Sequence, residues 1–190
     1  MHRRIVVRAE KKTKTYGDAL TSADLTFTIS DSERAKLLPG DTVESLGLTL
    51  KATTIEPEDI LRGSTTDADG DDILGAYGNE GRYVILKDNV TNTNYDVVVL
   101  PAFLNVSPKE AEIEWNAAAQ YTYTGNACGI EANVKADSLL ENDSCAIKKL
   151  LNADHTEVGN YKALAIGLTN ENYIFSAKTD VHLWEYEILQ

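Results

Sequence analysis

GRYVILKDNVTNTNYDV at residues 81–97 recurs as GNYKALAIGLTNENYIF at residues 159–175. The two stretches align without a gap at a constant offset of 78 residues, which places Tyr95 opposite Tyr173. Self-similarity at a fixed spacing is the signature of duplicated modules. The sequence therefore predicts that this 190-residue chain contains two copies of one small unit.

Each copy has the pattern of two strands separated by a polar turn. In the first copy, apolar residues recur over 82–88 and 95–100, and TNTN at 91–94 lies between them. Asparagine suits a turn because its side chain bonds the local backbone. We therefore predict a β hairpin here and a second hairpin at the matching positions of the later copy.

Short strands and turns are also predicted in the rest of the chain. Residues 25–29 alternate apolar and polar side chains, as half-buried strands do. Residues 32–38 fit one or two helical turns, with Ser32 as the N-cap and Pro39-Gly40 as the end. Further strands are predicted at 4–10, 43–54, 103–106, 130–136, 145–150 and 181–188. This pattern predicts a mainly β fold with at most one short helix per domain, either an immunoglobulin-like sandwich or a β-grasp-like fold.

The duplication implies two domains with a boundary near Pro108. Proline fixes φ and lacks an amide donor, which suits a short stiff linker, so we predict domains at 1–108 and 109–190. Aligning Tyr16 with Tyr123 gives an offset of 107, against 78 at the repeat, so the first domain carries about 29 additional residues. We place this acidic insertion near 55–80.

The charge and hydropathy of the chain exclude some partners. The net charge is -12, with 30 acidic and 18 basic residues, which argues against nucleic acid and anionic lipid as ligands. No stretch reaches the roughly 18 apolar residues of a membrane span, so we expect no membrane insertion within this segment. Because the chain begins and ends in strand-like sequence, we interpret it as a piece of a longer protein, and the lack of a signal peptide leaves its location open.

Several short motifs recur in the same order in both domains. In the first they are TKTYGD at 13–18, PGDTV at 39–43, GRY at 81–83 and NY at 94–95, followed by a strand that leads into SP at 107–108. In the second they are YTYTG at 121–125, GNY at 159–161 and NY at 172–173, after IEW at 113–115. These motifs resemble the MBG/YDG repeats of bacterial surface proteins. The second domain departs from the pattern, because ENDSC at 141–145 replaces the Gly-Asp-Thr-Val stretch, and the first departs through its insertion.

The resemblance implies a function without catalysis. It implies tandem β modules of secreted or cell-wall-anchored, adhesin-like proteins, hence an extracellular location, and it supplies no catalytic residues and no cofactor. The expected role is a structural or adhesion module that spaces or presents a binding region, next to further repeats of the same longer chain. The alternative is an accessory module that binds a carbohydrate or protein, such as a host or cell-surface protein or glycan, through the 55–80 insertion.

Four acidic residues in the insertion are the candidate metal ligands. Asp67, Asp69, Asp71 and Asp72 offer the oxygen atoms that Ca²⁺ prefers. Their spacing does not fit an EF-hand, because glycine follows the second Asp immediately and no Glu takes the twelfth position. A weak calcium site and a solvated acidic loop are both compatible with this sequence, and the loop is the plainer interpretation.

Two cysteines, Cys128 and Cys145, both lie in the second domain. In a secreted protein an even number of cysteines suggests a disulfide. A simple hairpin centred near residue 140 would not bring these two residues together, so a bridge would have to join other strands. A disulfide and two buried thiols both remain open at this point.

No arrangement typical of an enzyme stands out. His2, His155 and His182 lack the spacing of a zinc site, and the chain contains no G-x-S-x-G, Walker or Rossmann glycine motif. We therefore predict no catalytic residue and no enzymatic activity.

The repeated aromatic residues are expected to be structural. Tyrosines on strands usually bury the ring and keep the hydroxyl hydrogen-bonded. We predict a core role for the matched tyrosines of the two domains, which are Tyr16, Tyr83, Tyr95, Tyr123, Tyr161 and Tyr173. Trp115 and Trp184, on the first and last strands of the second domain, are expected to meet across a parallel pair.

Overall fold

The chain forms two compact units, Met1–Ser107 and Pro108–Gln190. The structure is a computed structural model that describes residues 2–54, 65–66, 72–73, 83–178 and 182–190. We call the two compact units unit 1 and unit 2. The division falls one residue before the boundary expected from the sequence.

Unit 1 contains nine described strands and one short helix. The strands are β1 (Arg3–Ala9), β2 (Lys12–Thr15), β3 (Phe27–Thr28), β4 (Leu48–Thr54), β5 (Thr65–Thr66), β6 (Asp72–Ile73), β7 (Tyr83–Val90), β8 (Tyr95–Leu100) and β9 (Ala102–Ser107). The helix α1 spans Asp31–Arg34, and a 3₁₀ turn spans Glu44–Leu46. One sheet has the order β3-β1-β8 and a second the order β2-β9-β7-β4, while β5 pairs with β6.

The core of unit 1 lies between its two larger sheets. Alternate residues of β1 and β8 are buried, as period-2 strands require. One cluster joins Ile5, Val7, Tyr95 and Val97 to Leu46 of the 3₁₀ turn. The second sheet contributes its own buried residues, which are Leu50, Tyr83, Ile85, Leu104 and Val106.

Unit 2 contains eight described strands. They are β10 (Lys109–Ala111), β11 (Ile113–Asn116), β12 (Gln120–Thr122), β13 (Glu131–Val134), β14 (Ile147–Leu151), β15 (Gly159–Leu168), β16 (Tyr173–Phe175) and β17 (Leu183–Leu189). A 3₁₀ turn spans Ala136–Ser138. The largest sheet has the order β12-β17-β15-β14, and β10 pairs with β16 and β11 with β13. The core cluster of unit 2 consists of Ile130, Ala153, Ala163, Tyr186 and Ile188.

The predicted fold class is confirmed, because the chain is mainly β with several sheets. In each unit the strands are divided between sheets that enclose a core, as in a β sandwich. In unit 1 the only described α-helix has four residues, none of them buried, so it cannot cover a sheet as the helix of a β-grasp does. Among the described residues, no helix has the length and apolar character needed to cross a bilayer.

The predicted hairpins are wrong in both copies. β7 pairs with β4 and β9, whereas the following β8 pairs with β1 in the other sheet. In unit 2, β15 pairs with β14 and β17, and β16 pairs with β10. The turn at 91–94 therefore carries the chain from one sheet to the other. β7 buries Tyr83 and Ile85 and β8 buries Tyr95 and Val97, and in a sandwich both rows are buried although the strands belong to different sheets.

Three local predictions in unit 1 also need correction. The N-cap of α1 is Ser30 and not Ser32, since the Ser30 hydroxyl accepts the Glu33 amide at 3.3 Å. The helix ends at Arg34, well before Pro39. The strand predicted at 25–29 is only two residues long. The strand expected within 43–54 is confirmed as β4, and it follows the 3₁₀ turn that contains Leu46.

The two units share one plan of strand pairing. β1 runs parallel to β8 and β2 parallel to β9 in unit 1, while β10 runs parallel to β16 and β12 parallel to β17 in unit 2. The main difference in length lies between the paired strands β4–β7 and β14–β15. Lys51 pairs with Leu86, 35 positions later, whereas Leu151 pairs with Leu164, 13 positions later, so unit 1 has 22 more residues here.

Candidate functional site

Each unit contains one tyrosine whose hydroxyl joins two distant segments. In unit 1, Tyr95 begins β8 and is 5% exposed. Its hydroxyl donates to Asp41 Oδ2 at 2.5 Å and accepts the Leu38 amide at 2.8 Å. Burial, and then the carboxylate of Asp41, raise the pKa of Tyr95, so the hydroxyl keeps its proton. We call this arrangement the Tyr–Asp corner.

Unit 2 repeats the Tyr–Asp corner with nearly identical geometry. Tyr173 begins β16 and is 3% exposed. Its hydroxyl donates to Asp143 Oδ2 at 2.5 Å and accepts the Leu140 amide at 2.8 Å. A buried hydroxyl that both donates and accepts is fully satisfied, so the Tyr–Asp corner is suited to holding a loop against a strand.

An asparagine fixes the turn before each corner tyrosine. Asn92 Oδ1 accepts the Asn94 amide at 3.1 Å, and Asn92 Nδ2 donates to the Ser45 carbonyl at 2.9 Å. Asn170 makes the same pair of bonds, to the Asn172 amide at 3.0 Å and to the Ser144 carbonyl at 3.2 Å. This accounts for the recurrence of Asn-x-Asn-Tyr in the sequence.

Sequence reasoning missed Asp41 and Asp143 as equivalent residues. The second domain seemed to lack the Gly-Asp-Thr-Val stretch, yet Asn142-Asp143 takes the place of Gly40-Asp41 in the structure. Gly40 has a φ of 90° and Asn142 a φ of 70°, both in the left-handed region. Glycine and asparagine are the residues that adopt this region most readily, so their exchange was the signal available in the sequence.

The matched tyrosines do not all belong to the core. Tyr16 and Tyr83 are buried, with exposed fractions of 1% and 2%, but Tyr123 is 47% exposed. Tyr161 is half-buried, stacks on His155 at a ring-centre distance of 3.9 Å and donates its hydroxyl to the Glu157 carbonyl. The prediction of a core role is therefore wrong at Tyr123.

The two tryptophans of unit 2 meet, but not across a parallel pair. The rings of Trp115 and Trp184 are stacked, with centres 6.3 Å apart. Trp115 lies on β11 and Trp184 on β17, which belong to different sheets. The pair therefore packs between two layers of unit 2, at the edge of its core cluster.

A shallow cavity on unit 2 is a candidate ligand surface. It has a volume of about 620 Å³ and is lined by Ala118, Ala119, Gln120, Asn160, Tyr161, Lys162, Glu185, Tyr186 and Glu187. Lys162 Nζ lies 2.5 Å from Glu185 Oε1, and both side chains are about two-thirds exposed. Gln120 Nε2 donates to Glu187. These groups can hydrogen-bond a polar molecule, and they are satisfied by one another when none is bound.

The buried wall of this cavity is fixed by the core. Tyr186 donates its hydroxyl to the Asn152 carbonyl at 2.8 Å. Burial, and next the contact with Cys128, raise the pKa of Tyr186. The hydroxyl is therefore a neutral hydrogen-bond donor and is not ionised near neutral pH.

One carboxylate of unit 2, that of Glu112, lies between two lysines. Glu112 contacts Lys178 and also Lys135, the latter at 3.0 Å. Hydrogen bonds from Lys178 and then Lys135 lower the pKa of Glu112 from 4.5 to about 2. Glu112 follows β10 directly, Lys135 follows β13 and Lys178 lies after β16, so this network joins the segments that follow these three strands.

The cysteines are free thiols in this structure, and both are half-buried. Cys128 packs against the core cluster of unit 2, and its sulfur lies 3.4 Å from the His155 carbonyl oxygen. Cys145 precedes β14. The disulfide stays a prediction for the oxidised protein.

The calcium candidates fall mostly outside the described residues. Asp67, Asp69 and Asp71 lie there, and Asp72 is described only through the backbone pairing of β6 with β5. Calcium binding therefore stays a prediction. Within the described ranges, no three His, Cys, Asp or Glu side chains are grouped as a metal site requires.

No protein-family model matches this chain, and no curated protein is significantly similar to it.

Proposed function

We propose that the chain is a non-catalytic structural or adhesion module of a bacterial surface or secreted protein, which spaces or presents a binding region. The resemblance of its motifs to MBG/YDG repeats supports this role. So does the repetition of one strand plan, including the Tyr–Asp corner, in both units.

The two units share their strand pairing but differ in the surface at which unit 2 has its cavity, and this difference carries the proposal. The cross-strand pair Lys162–Glu185, in the cavity of unit 2, corresponds by register to Val84–Phe103 in unit 1. Phe103 is 50% exposed, so the same surface is apolar in one unit and charged in the other. The strand pairing and the Tyr–Asp corner occur in both units, whereas, among the described residues, the candidate ligand surface occurs only in unit 2. This favours a role that depends on the shared fold and not on that surface.

A reach experiment tests the proposal. Zero, one, two or three copies of the chain are placed between a cell-wall anchor and an epitope tag on a bacterial surface, and antibody access to the tag is measured. A spacer predicts access that rises with each copy. Matched Gly/Ser linkers are the control, since their reach grows only as the square root of length. Access that does not depend on copy number, or that follows the Gly/Ser curve, would contradict the proposal.

The second candidate function is carbohydrate or protein binding through the 55–80 insertion. It is favoured by the 22 additional residues that unit 1 has between its paired strands, since unit 2 folds on the same plan without them. The test is to replace 55–82 with residues 155–160 of unit 2 and to compare both chains on glycan arrays and on host-cell extracts. Binding that is lost in the variant would support this function, and equal binding would exclude it.

A further inference from the structure

We propose that each unit is built to bear a pulling force applied along the chain, with its parallel terminal strand pairs as the load-bearing element. This inference rests on the proposed spacer role, because a module placed between an anchor and a binding region transmits tension between its two ends.

The direction of strand pairing decides how a pull acts. In a parallel pair, the start of one strand and the end of the other lie at opposite ends of the pair. A pull on those two points slides the strands past each other and loads all the hydrogen bonds together. In an antiparallel pair the same two points lie side by side, and the bonds open one after another.

In unit 1, a force applied at the two ends of the unit acts on two parallel strand pairs. β2 pairs with β9 from Lys12–Leu104 to Thr15–Ser107, and the Tyr16 amide extends the pair by donating to the Ser107 carbonyl at 2.8 Å. β9 is the last strand of the unit, so tension that leaves through Ser107 acts directly on this pair. β1, where tension enters, is held to β8 by six parallel register pairs, Arg3–Tyr95 to Arg8–Leu100.

Unit 2 has the same arrangement in a shorter form. β12 pairs with β17 over three residues, and the Tyr123 amide donates to the Leu189 carbonyl at 2.8 Å, as Tyr16 does in unit 1. β10 pairs with β16 over three residues. Unit 1 thus has ten parallel register pairs against six in unit 2, so unit 1 should break at the higher force.

The first experiment is to stretch the full chain by its two ends in a single-molecule instrument. Two rupture events are expected, and their lengths identify the units. At about 3.3–3.6 Å per residue, unit 1 releases roughly 350–385 Å and unit 2 roughly 270–300 Å, less the folded end-to-end distances. We expect the shorter release first, at the lower force. The longer release first would overturn the assignment of resistance to these pairs.

Pulling the chain in a second direction provides the control. A handle attached at the exposed residue 93, just before the start of β8, lies at the same end of the β1–β8 pair as residue 2. Force between residues 2 and 93 therefore peels β1 from β8 instead of sliding it, and it bypasses the β2–β9 pair. We expect a clearly lower rupture force for unit 1 in this direction, and equal forces in both directions would refute the proposal.

A matched pair of proline variants tests the hydrogen bonds themselves. Amides alternate in direction along β2: Tyr16 donates to β9, whereas the Thr15 amide donates to Asp18 Oδ2 at 3.0 Å. By this alternation the Lys14 amide faces β9 and the Thr13 amide faces away. Lys14→Pro should lower the rupture force of unit 1, and Thr13→Pro should leave it nearly unchanged. Equal loss in both variants would count against the proposal.

The outcomes separate this inference from the proposed function. A chain that extends the reach of an epitope but breaks at the same force in both pulling directions is a spacer without a load-bearing element. A chain that fails the reach experiment loses the proposed function, whatever its resistance to force.

Discussion

At the scale of single residues, the Tyr–Asp corner links segments that are far apart in sequence. Tyr95 bonds a carboxylate 54 positions earlier, and Tyr173 bonds one 30 positions earlier. The tyrosine rings add to the cores while their hydroxyls are satisfied by one acceptor and one donor. A buried polar group left without its partner is costly, so both halves of the corner have to be kept together.

Removing one corner hydroxyl should destabilise its unit. Tyr173→Phe removes the hydroxyl that donates to Asp143 Oδ2 and accepts the Leu140 amide, and we expect a loss of about 1–3 kcal/mol in the free energy of unfolding. Denaturant unfolding measures the change. Glu141→Ala, at an exposed position of the loop that Tyr173 bonds, is the control and should change stability little. A Tyr173→Phe variant as stable as the parent would show that the corner contributes nothing.

The lysine-bridged carboxylate predicts a pH dependence in unit 2. The pKa of Glu112 falls from 4.5 to about 2 on folding, so its contribution is fully present above pH 4.5 and is lost as the pH falls towards 2. The difference in stability between the parent and Glu112→Gln should therefore be largest near neutral pH and shrink below pH 4.5. Thermal unfolding at each pH measures this difference. A difference in stability between the two proteins that stays constant from pH 7 to pH 2.5 would contradict this assignment.

At the scale of elements, strand identity was predictable and strand partners were not. The alternation of apolar residues marks β7 and β8 as strands and assigns the buried face of each. This alternation does not predict which strand pairs with which, because pairing depends on how apolar faces from distant parts of the sequence pack together. The asparagine turn was correctly located, but it carries the chain between sheets.

The insertion in unit 1 should be dispensable for folding. Replacing residues 55–82 with residues 155–160 of unit 2 keeps the paired ends of β4 and β7 and shortens the connection from 28 to 6 residues. The lower loop-closure entropy should stabilise unit 1 by about 1 kcal/mol. Thermal unfolding measures this, and a strongly destabilised variant would show that the insertion packs on the unit.

At the scale of the whole molecule, the two units are expected to unfold as separate bodies. Each has its own buried cluster, and each completes its own sheets. Both tryptophans of the chain, Trp115 and Trp184, lie in unit 2, so tryptophan fluorescence reports that unit, while circular dichroism reports both.

This placement gives a direct test of independence. Tyr173→Phe should lower the unfolding midpoint seen by fluorescence, and Tyr95→Phe should leave it unchanged while altering the circular dichroism transition. The effects of the two substitutions should add in the double variant, as they do for distant sites. A fluorescence midpoint that moves with Tyr95→Phe would instead show that the units are coupled.

The amino-acid sequence alone predicts two similar units, and it correctly predicts the mainly β class and the positions of most strands and turns. These features are written in local patterns: a recurring motif, an alternation of period two, and asparagine and glycine at turns. The folded chain was needed to show that the two strands of each repeated stretch belong to different sheets and that the terminal strands pair in parallel. It alone showed that Asn142-Asp143 replaces Gly40-Asp41. These relations depend on which distant faces and polar groups satisfy each other, and no local pattern encodes that choice.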